Sequence, residues 1–270
     1  MRRVLEKITL GQYYPGNSVI HRLDPRTKIL LLVMAITALF LAGNIPAFIP
    51  SVIALAAVIL LTGLPVRLIL RAIRPLRFIL VLTFVLNLFF TQGDTVLLEW
   101  RFIRITSEAL FRSVLYTVRL VLLVIASSLL TYTTAPIPLT DGLESLLKPL
   151  AKLKFPAHEM SMMMTIALRF IPTLLEETDK IMKAQASRGA DFETGNILRR
   201  ARAMLPILIP LFVSAFRRAG DLATAMEARC YHGGEGRTKF HVLSMRRDDW
   251  FALLLGAVLI AATILLTNMI

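Results

Sequence analysis

Two arginines stand near the ends of two similar segments of this chain, each one helical turn after an alanine. Ala184 and Arg188 recur 41 residues later as Ala225 and Arg229. An alanine one turn before an arginine leaves a shallow notch beside a long cation. The planar guanidinium can make several hydrogen bonds at once, which suits insertion into a groove on another protein.

A simpler role for both arginines is helix capping. An arginine in the last turn of a helix interacts favourably with the free carbonyl groups and with the negative end of the helix dipole. Gly189, directly after Arg188, is an ordinary residue for ending a helix. Repetition within one chain favours a repeated structural task. Spacing alone leaves capping and docking both open.

Two amphipathic segments lead to these arginines, within the stretch from His158 to Gly236. Each carries a proline near its start, Pro172 in the first segment and Pro210 in the second. Apolar residues recur at helical spacing after each proline. We therefore predict two long amphipathic helices, each interrupted by proline and each running into an arginine at its end.

The composition of the chain is that of an integral membrane protein. Of its 270 residues 56% are hydrophobic and the mean hydropathy is +0.67, which is more apolar surface than a soluble domain of this length can bury. The net charge of +13 does not indicate nucleic-acid binding, because the arginines flank apolar runs and form no basic face with interleaved aromatic residues. The single cysteine, Cys230, excludes an intramolecular disulfide.

Five apolar runs are candidates for crossing the lipid bilayer. They are Ile29 to Gly43, Ala47 to Leu64, Phe78 to Phe90, Ser113 to Thr133 and Trp250 to Thr267. Asp24 and Pro25 precede the first run and predict the start of a helix, as N-cap and first-turn residues. The fold class predicted is an all-α membrane protein with about five transmembrane helices.

The placement of basic residues predicts the topology. Four arginines follow the second run without one acidic residue among them: Arg67, Arg71, Arg74 and Arg77. Because positive charge collects on cytoplasmic loops, this loop and the basic N-terminus are predicted to be cytoplasmic. The stretch from Gln92 to Arg112 is then an outer loop.

Three regions follow from this topology. Residues 1–133 are an N-terminal transmembrane region of about four spans, residues 134–249 a cytoplasmic coupling region, and residues 250–270 a C-terminal transmembrane helix. The most apolar part of the coupling region, Ala203 to Phe216, is short and contains prolines. It fits an interfacial or protein-buried helix better than a span.

One ionisable residue, Arg119, lies inside the fourth apolar run. A charge at that depth usually faces other protein or a wet cavity. Two interpretations stay open for Arg119, a contact between helices of this chain and a contact with a partner protein.

Motifs for catalysis, nucleotide binding and metal binding are missing from the sequence. There is no Gly-x-x-x-x-Gly-Lys-[Ser/Thr] loop, so ATP binding in the usual P-loop manner is not expected. There is no His-Glu-x-x-His and no Gly-x-Ser-x-Gly, and the four histidines have no metal-ligand spacing. We expect no catalytic residues, no metal ligands and no cofactor in this chain.

The motifs together resemble the transmembrane T component of energy-coupling factor (ECF) transporters, the ATP-driven importers of vitamins and transition-metal ions in prokaryotes. Four stretches carry the resemblance: Ser18 to Lys28, Thr133 to Leu150, Leu168 to Ala190 and Glu227 to Arg229. The specific part is the ordered pair of arginine motifs, each after a proline-bearing helix. The apolar runs alone would match almost any membrane protein.

This resemblance implies that each arginine motif docks into a groove on one of two ABC-type ATPase subunits. Arg188 and Arg229 are the matching residues. Their flanking residues are Ala186, Ser187, Gly189, Ala228 and Cys230. The family's second motif often has glycine after its arginine, where this chain has Cys230. If a left-handed helix end is required there, cysteine strains it.

The function implied by the resemblance is that of a transmembrane scaffold. It would transmit ATP-driven closure of two ATPases to a small substrate-binding membrane protein, the S component. ATP would be bound by the ATPases and substrate by the S component. The chain would lie in the prokaryotic cytoplasmic membrane, with its N-terminus and coupling region in the cytoplasm.

Two alternatives to the scaffold come from other classes of protein. The permease subunit of a conventional ABC importer forms the pathway itself and contacts the ATPases through one short cytoplasmic helix. Two different arginine helices in one chain favour the scaffold, because one chain can then serve both ATPases. A polytopic membrane enzyme is disfavoured by the lack of a catalytic motif.

Overall fold

The computed structural model describes residues 13–91, 95–100, 103–149, 156–192, 196–233 and 243–269. The α-helices in these ranges are α1 (Val19–Arg22), α2 (Pro25–Leu41), α3 (Ile49–Thr62), α4 (Val66–Ile73), α5 (Arg77–Phe90), α6 (Ser107–Thr133), α7 (Pro136–Leu147), α8 (Ala157–Ser187), α9 (Ile197–Glu227) and α10 (Arg247–Met269). Short 3-10 helices precede α3 and α5, at Ile45–Phe48 and Arg74–Leu76. The prediction of an all-α polytopic membrane protein is confirmed.

Five stretches of the described chain are long and apolar enough to cross a membrane, judged by length and composition. They are Ile45–Thr62, Val66–Phe90, Ser107–Thr133, Arg202–Glu227 and Arg247–Met269. The number agrees with the prediction, but one member differs. The predicted first span lies in α2, whose 17 residues extend about 25 Å, less than a hydrocarbon core of roughly 30 Å. The set of five candidates contains a stretch of α9 instead of α2, and this stretch lies within the region predicted to be cytoplasmic. The cytoplasmic location of that region stays a prediction.

Two stretches predicted as loops contain regular structure. The basic stretch after the second run forms α4 and the 3-10 helix that follows it. Pro75 does not prevent this, because it lies at the start of the 3-10 helix, where its missing N–H is not needed. In the predicted outer loop, strands β1 (Val96–Trp100) and β2 (Ile103–Thr106) pair antiparallel, and α6 begins at Ser107.

The chain divides into two compact units. Among the described residues, the first comprises those within 13–143 and 243–269, and the second comprises those within 144–233. In the first unit α6 packs against α2, α3, α4 and α5, and α10 packs against α2 and α3. In the second unit α8 and α9 pack against each other. Two clusters of buried apolar residues lie in the first unit: Leu39, Ala42, Ala47, Phe48, Leu115 and Leu122, and Leu64, Leu129 and Tyr132.

Buried polar groups from both ends of the chain hold the start of α2. Asp24 is the N-cap of this helix, as the sequence indicates, and its carboxylate accepts a hydrogen bond from the backbone N–H of Arg26 at 2.9 Å. The carboxylate of Asp249, only 1% exposed, accepts from the backbone N–H groups of Asp24 (2.8 Å) and Arg246 (2.7 Å). One side chain therefore joins the start of α2 to the start of α10.

Lys28 completes this buried network, one turn into α2 and just before the apolar run. Its Nζ donates hydrogen bonds to the backbone oxygens of Thr133 at 2.9 Å and His21 at 3.1 Å, in the last turns of α6 and α1. Burial lowers the pKa of Lys28 to about 8, although the carboxylates of Asp249 and Asp24 act in the opposite direction. The ammonium group therefore joins three helix ends.

Candidate docking site at two helix ends

The helices that carry the two arginines have the same length, 31 residues each. Pro172 lies near the middle of α8, so the prediction of a proline near the start of this helix is wrong. Pro206 and Pro210 lie in the first half of α9. Each of these prolines removes one backbone donor, yet helical structure continues through all three positions. Both arginines therefore stand at the ends of long continuous helices.

The end of α8 closes with backbone hydrogen bonds around Arg188. The N–H of Arg188 donates to the oxygen of Gln185, and that of Gly189 to the oxygen of Ala186, both at 3.0 Å. The N–H of Ala190 then reaches back to the oxygen of Gln185, also at 3.0 Å. Gly189 has a positive φ of 88°. This is a Schellman-type end, in which a left-handed residue turns the chain back over the last helical carbonyls.

The end of α9 repeats this arrangement bond for bond. The N–H of Arg229 donates to the oxygen of Met226 at 3.1 Å, and that of Cys230 to the oxygen of Glu227 at 2.9 Å. The N–H of Tyr231 reaches back to the oxygen of Met226 at 3.1 Å. Each donor and acceptor lies 41 residues after its counterpart in α8. The repeat seen in the sequence is therefore also a repeat of backbone geometry.

Cys230 occupies the left-handed position that Gly189 holds at the other end. Its φ is 54°, the one positive φ found at a non-glycine residue in the described ranges. A side chain in this conformation crowds the neighbouring carbonyl groups, and the conformation costs roughly 1 kcal/mol of stability relative to glycine. The left-handed end that would strain a cysteine is therefore present, and α9 ends there in spite of that strain.

Every residue predicted to dock is exposed on the surface of its own unit. This holds for Arg188 with its flanks Ala186, Ser187 and Gly189, and for Arg229 with its flanks Ala228 and Cys230. Backbone N–H groups already satisfy carbonyls in the last turn of both helices. The two guanidinium groups are therefore not needed to cap those carbonyls.

The two helices are joined by an ion pair that the sequence did not reveal. Arg218 Nη2 on α9 lies 2.7 Å from Glu177 Oε2 on α8. A hydrogen bond from Ser214 and the guanidinium of Arg218 lower the pKa of the Glu177 carboxyl. Glu177 lies 11 residues before Arg188, and Arg218 lies 11 residues before Arg229. The ion pair therefore joins the two helices at equivalent positions.

A cleft of about 350 Å³ opens beside this ion pair. Charged side chains of both helices line it, and Ala184, the alanine one turn before Arg188, lies on its wall. The cleft belongs to the packing of α8 on α9. In the described part of the chain, no three His, Cys, Asp or Glu side chains gather closely enough to hold a metal ion.

Arg119 lies in the first unit, on α6. Its Nη2 donates a hydrogen bond to the backbone oxygen of Ala42, the residue that ends α2, at 2.7 Å. The guanidinium also stands over three aromatic rings, those of Phe40, Phe48 and Tyr116, at 5.5 to 5.8 Å from their centroids. Arg119 therefore packs α6 against the end of α2 and the 3-10 helix after it. A role toward a partner protein stays a prediction.

Comparison with known proteins connects these features to a transporter family. The family model of cobalt transport proteins, CbiQ, matches residues 16–240. The "energy-coupling factor transporter transmembrane protein EcfT" of Acidaminococcus fermentans is 57% identical over 265 residues, which cover 97% of each chain. The protein of the same name from Thermosediminibacter oceani is 52% identical over 261 residues, covering 97% of this chain and 98% of that one. The EcfT protein of Bacillus subtilis is 44% identical over 246 residues, covering 91% and 93%.

Proposed function

This chain belongs to the CbiQ family, as the transmembrane component of an energy-coupling factor transporter, and from this membership we propose that it couples two ATPases to a separate substrate-binding membrane protein. In this proposal Arg188 and Arg229 each enter a groove on one ATPase subunit. The ATPases bind and hydrolyse ATP, and the small membrane protein holds the substrate, a vitamin or a transition-metal ion. The chain itself is a non-catalytic transducer.

The observation that carries the proposal is the identical geometry of the two exposed helix ends. An end with its own Schellman-type hydrogen bonds does not need an arginine as a cap. A rigid helix end that presents a guanidinium is well suited to a fixed groove with carboxylate or carbonyl acceptors. Two such ends in one chain can engage two ATPases, and each contact then strengthens the other by avidity.

The first experiment measures ATPase binding to the full chain in mild detergent, for Arg188→Ala, Arg229→Ala and the double variant. Removing one member of a desolvated interfacial pair weakens binding by ~2–5 kcal/mol, roughly 30-fold to several-thousand-fold. Loss of an exposed helix-end charge costs only about 0.3–1 kcal/mol. Single variants should therefore weaken the complex and impair uptake, and the double variant should abolish both.

Two sets of controls accompany this experiment. Arg217→Ala removes an exposed arginine from the body of α9 and should bind the ATPases like the parent. Lysine at position 188 or 229 keeps the charge but not the planar fork, so it should rescue binding poorly. A double alanine variant that assembles and transports like the parent would return both arginines to a capping role and end the proposal.

The second experiment uses Cys230 as a native probe of sidedness. It is the only cysteine of the chain and it is exposed in its unit. The proposal places it in the cytoplasm, so a membrane-impermeant maleimide should label it in inside-out vesicles and not in intact cells. Bound ATPases should slow the labelling. Labelling from outside intact cells contradicts the proposed orientation.

The third experiment separates the scaffold from a conventional ABC permease. Complexes purified through this chain should contain two ATPase subunits and a small polytopic membrane protein. A chain that transports substrate with ATPases alone, without such a protein, would favour the permease. Identifying the copurified small protein would also define the transported substrate.

A further inference from the structure

The corner between α4 and α5 combines exposed arginines with an exposed apolar helix. Arg67, Arg71 and Arg74 recur at spacings of four and three residues, which places them on one side of the helical turn, and Arg77 begins α5. All four side chains are exposed. We define these four arginines as the basic corner.

The basic corner has no nearby negative charge to neutralise it. From Pro25 to Gly93 the sequence contains no aspartate or glutamate. Among the side chains that the structure describes, no carboxylate pairs with any of the four guanidinium groups. Four exposed cations without counter-ions attract an anionic partner.

The orientation of α4 is fixed by its opposite face. Ile69 is 5% exposed, and Leu68 and Ala72 pack against the buried cluster of Leu64, Leu129 and Tyr132. The hydroxyl of Tyr132 donates a hydrogen bond to the backbone oxygen of Leu68 at 3.3 Å. Arg67 and Arg71 are therefore held outward by the packing of this helix, and they cannot turn inward without breaking that packing.

An apolar surface begins directly beside the guanidinium groups. Val66 and Leu70 on α4 are 63% and 60% exposed. Val81 and Val85 follow Arg77 at successive intervals of four residues, on the same side of α5, and both are exposed. This row extends about 12 Å from Arg77 at 1.5 Å per residue. A ligand for the corner must therefore be anionic at one end and apolar at the other.

We propose that the basic corner binds an anionic phospholipid. The phosphate contacts the guanidinium groups of Arg71, Arg74 and Arg77, and an acyl chain lies along the row of Val81 and Val85. Arginine forks match phosphate oxygens bidentately. A helix with cations on one side and exposed apolar side chains beside them lies naturally at the level of lipid headgroups. An acidic protein segment would use the charges but would leave the apolar row uncovered.

The test uses tryptophan fluorescence in reconstituted vesicles. Phe78, 73% exposed at the start of α5, becomes the reporter as Phe78→Trp, with Trp100→Phe and Trp250→Phe to remove other emission. Vesicles of phosphatidylcholine receive brominated phosphatidylglycerol or brominated phosphatidylcholine as quencher. The ratio of the two quenching efficiencies gives the preference for the anionic lipid next to the corner.

In the reporter variant with all four arginines, which we call the parent reporter, brominated phosphatidylglycerol should quench at least about fivefold more efficiently than brominated phosphatidylcholine. One basic residue near an anionic lipid contributes roughly that factor. The triple variant Arg71→Gln, Arg74→Gln, Arg77→Gln should lose the preference. Arg74→Gln alone should reduce it severalfold. The matched control Arg112→Gln removes an exposed arginine near the other end of the α5–α6 pair and should leave it unchanged.

A salt titration tests the same site without any arginine substitution. The preference of the parent reporter should fall as ionic strength rises from about 0.05 to 0.5 M, because exposed charges are screened within a Debye length. Equal quenching by both lipids in the parent reporter overturns the proposal and leaves an acidic protein segment as the occupant. A preference that survives in a folded triple variant, monodisperse and helical by circular dichroism, overturns it as well.

Discussion

The left-handed residues that end α8 and α9 allow a prediction in which the same substitution has opposite effects at two glycines. Gly189 has a φ of 88°, and a Cβ built there meets no atom within 4 Å. The penalty of Gly189→Ala is therefore conformational and not steric, about 1 kcal/mol. Gly220 is also open to solvent but lies inside α9. There alanine should stabilise the helix by about 0.5–1 kcal/mol.

The measurement is amide hydrogen exchange of the last turn of each helix, in the full chain. A change of 1 kcal/mol in local opening alters protection about fivefold. Gly189→Ala should lower protection around residues 185–190 by about that factor, and Gly220→Ala should raise protection within α9. Cys230→Gly should raise protection around residues 226–231 by about two- to fivefold, because glycine removes the strain but makes the unfolded chain more flexible.

The signs of these effects decide the outcome. If Gly189→Ala and Gly220→Ala change protection in the same direction, the left-handed assignment of Gly189 is wrong. If Cys230→Gly lowers protection at the end of α9, the thiol side chain stabilises that end by contacts that outweigh its backbone strain. The first result would refute the inference that the two ends share one geometry, and the second would refute the inference that the cysteine destabilises the end of α9.

Three further predictions concern polar contacts away from the helix ends. Glu177→Gln should weaken the packing of α8 on α9 and lower ATPase binding modestly. Arg218→Lys should do the same, because the hydrogen bond from the Arg218 guanidinium to Glu177 is directional. Equal ATPase binding by parent and variants in a pull-down would contradict this. Raising the pH from about 8 to 10.5 should increase the free energy of unfolding by up to about 3 kcal/mol. The reason is that Lys28 stays protonated to higher pH in the unfolded chain than in the folded chain, where its pKa is about 8. Detergent unfolding curves should show this increase, and Lys28→Met should remove it. Arg119→Leu should destabilise the first unit by about 1.5–3 kcal/mol through its lost carbonyl bond while ATPase binding stays intact; loss of ATPase binding with normal stability would contradict that assignment.

The sequence predicted features that depend on neighbouring residues. Asp24 followed by Pro25 predicted the start of α2, and the structure shows the expected N-cap hydrogen bond. The repeat of Ala184 and Arg188 at Ala225 and Arg229 marked two helix ends that share one backbone geometry. These features could be predicted because capping residues and helix-end residues act within one or two turns of the chain.

Features set by tertiary packing were not predictable in the same way. The bond from Asp249 joins groups 225 residues apart, and the pair of Glu177 and Arg218 joins two helices, so neither leaves a local spacing to recognise. The sequence predicts an interruption near a helix start at Pro172, because proline removes a helical donor. In the structure α8 extends well before it and after it. Long amphipathic helices gain enough from packing to tolerate such a loss.

The hydrogen bond that the backbone N–H of Asp24 donates to the Asp249 carboxylate has a consequence for the order in which the protein is made. Helix α2 of the first unit is synthesised well before α10, which carries the carboxylate that completes the start of α2. All of the second unit between Glu144 and Val242 is synthesised in the interval. Closure of the first unit must therefore wait until α10 has been synthesised. A chain truncated before α10 would leave the buried backbone N–H of Asp24 without its acceptor, which would destabilise the first unit.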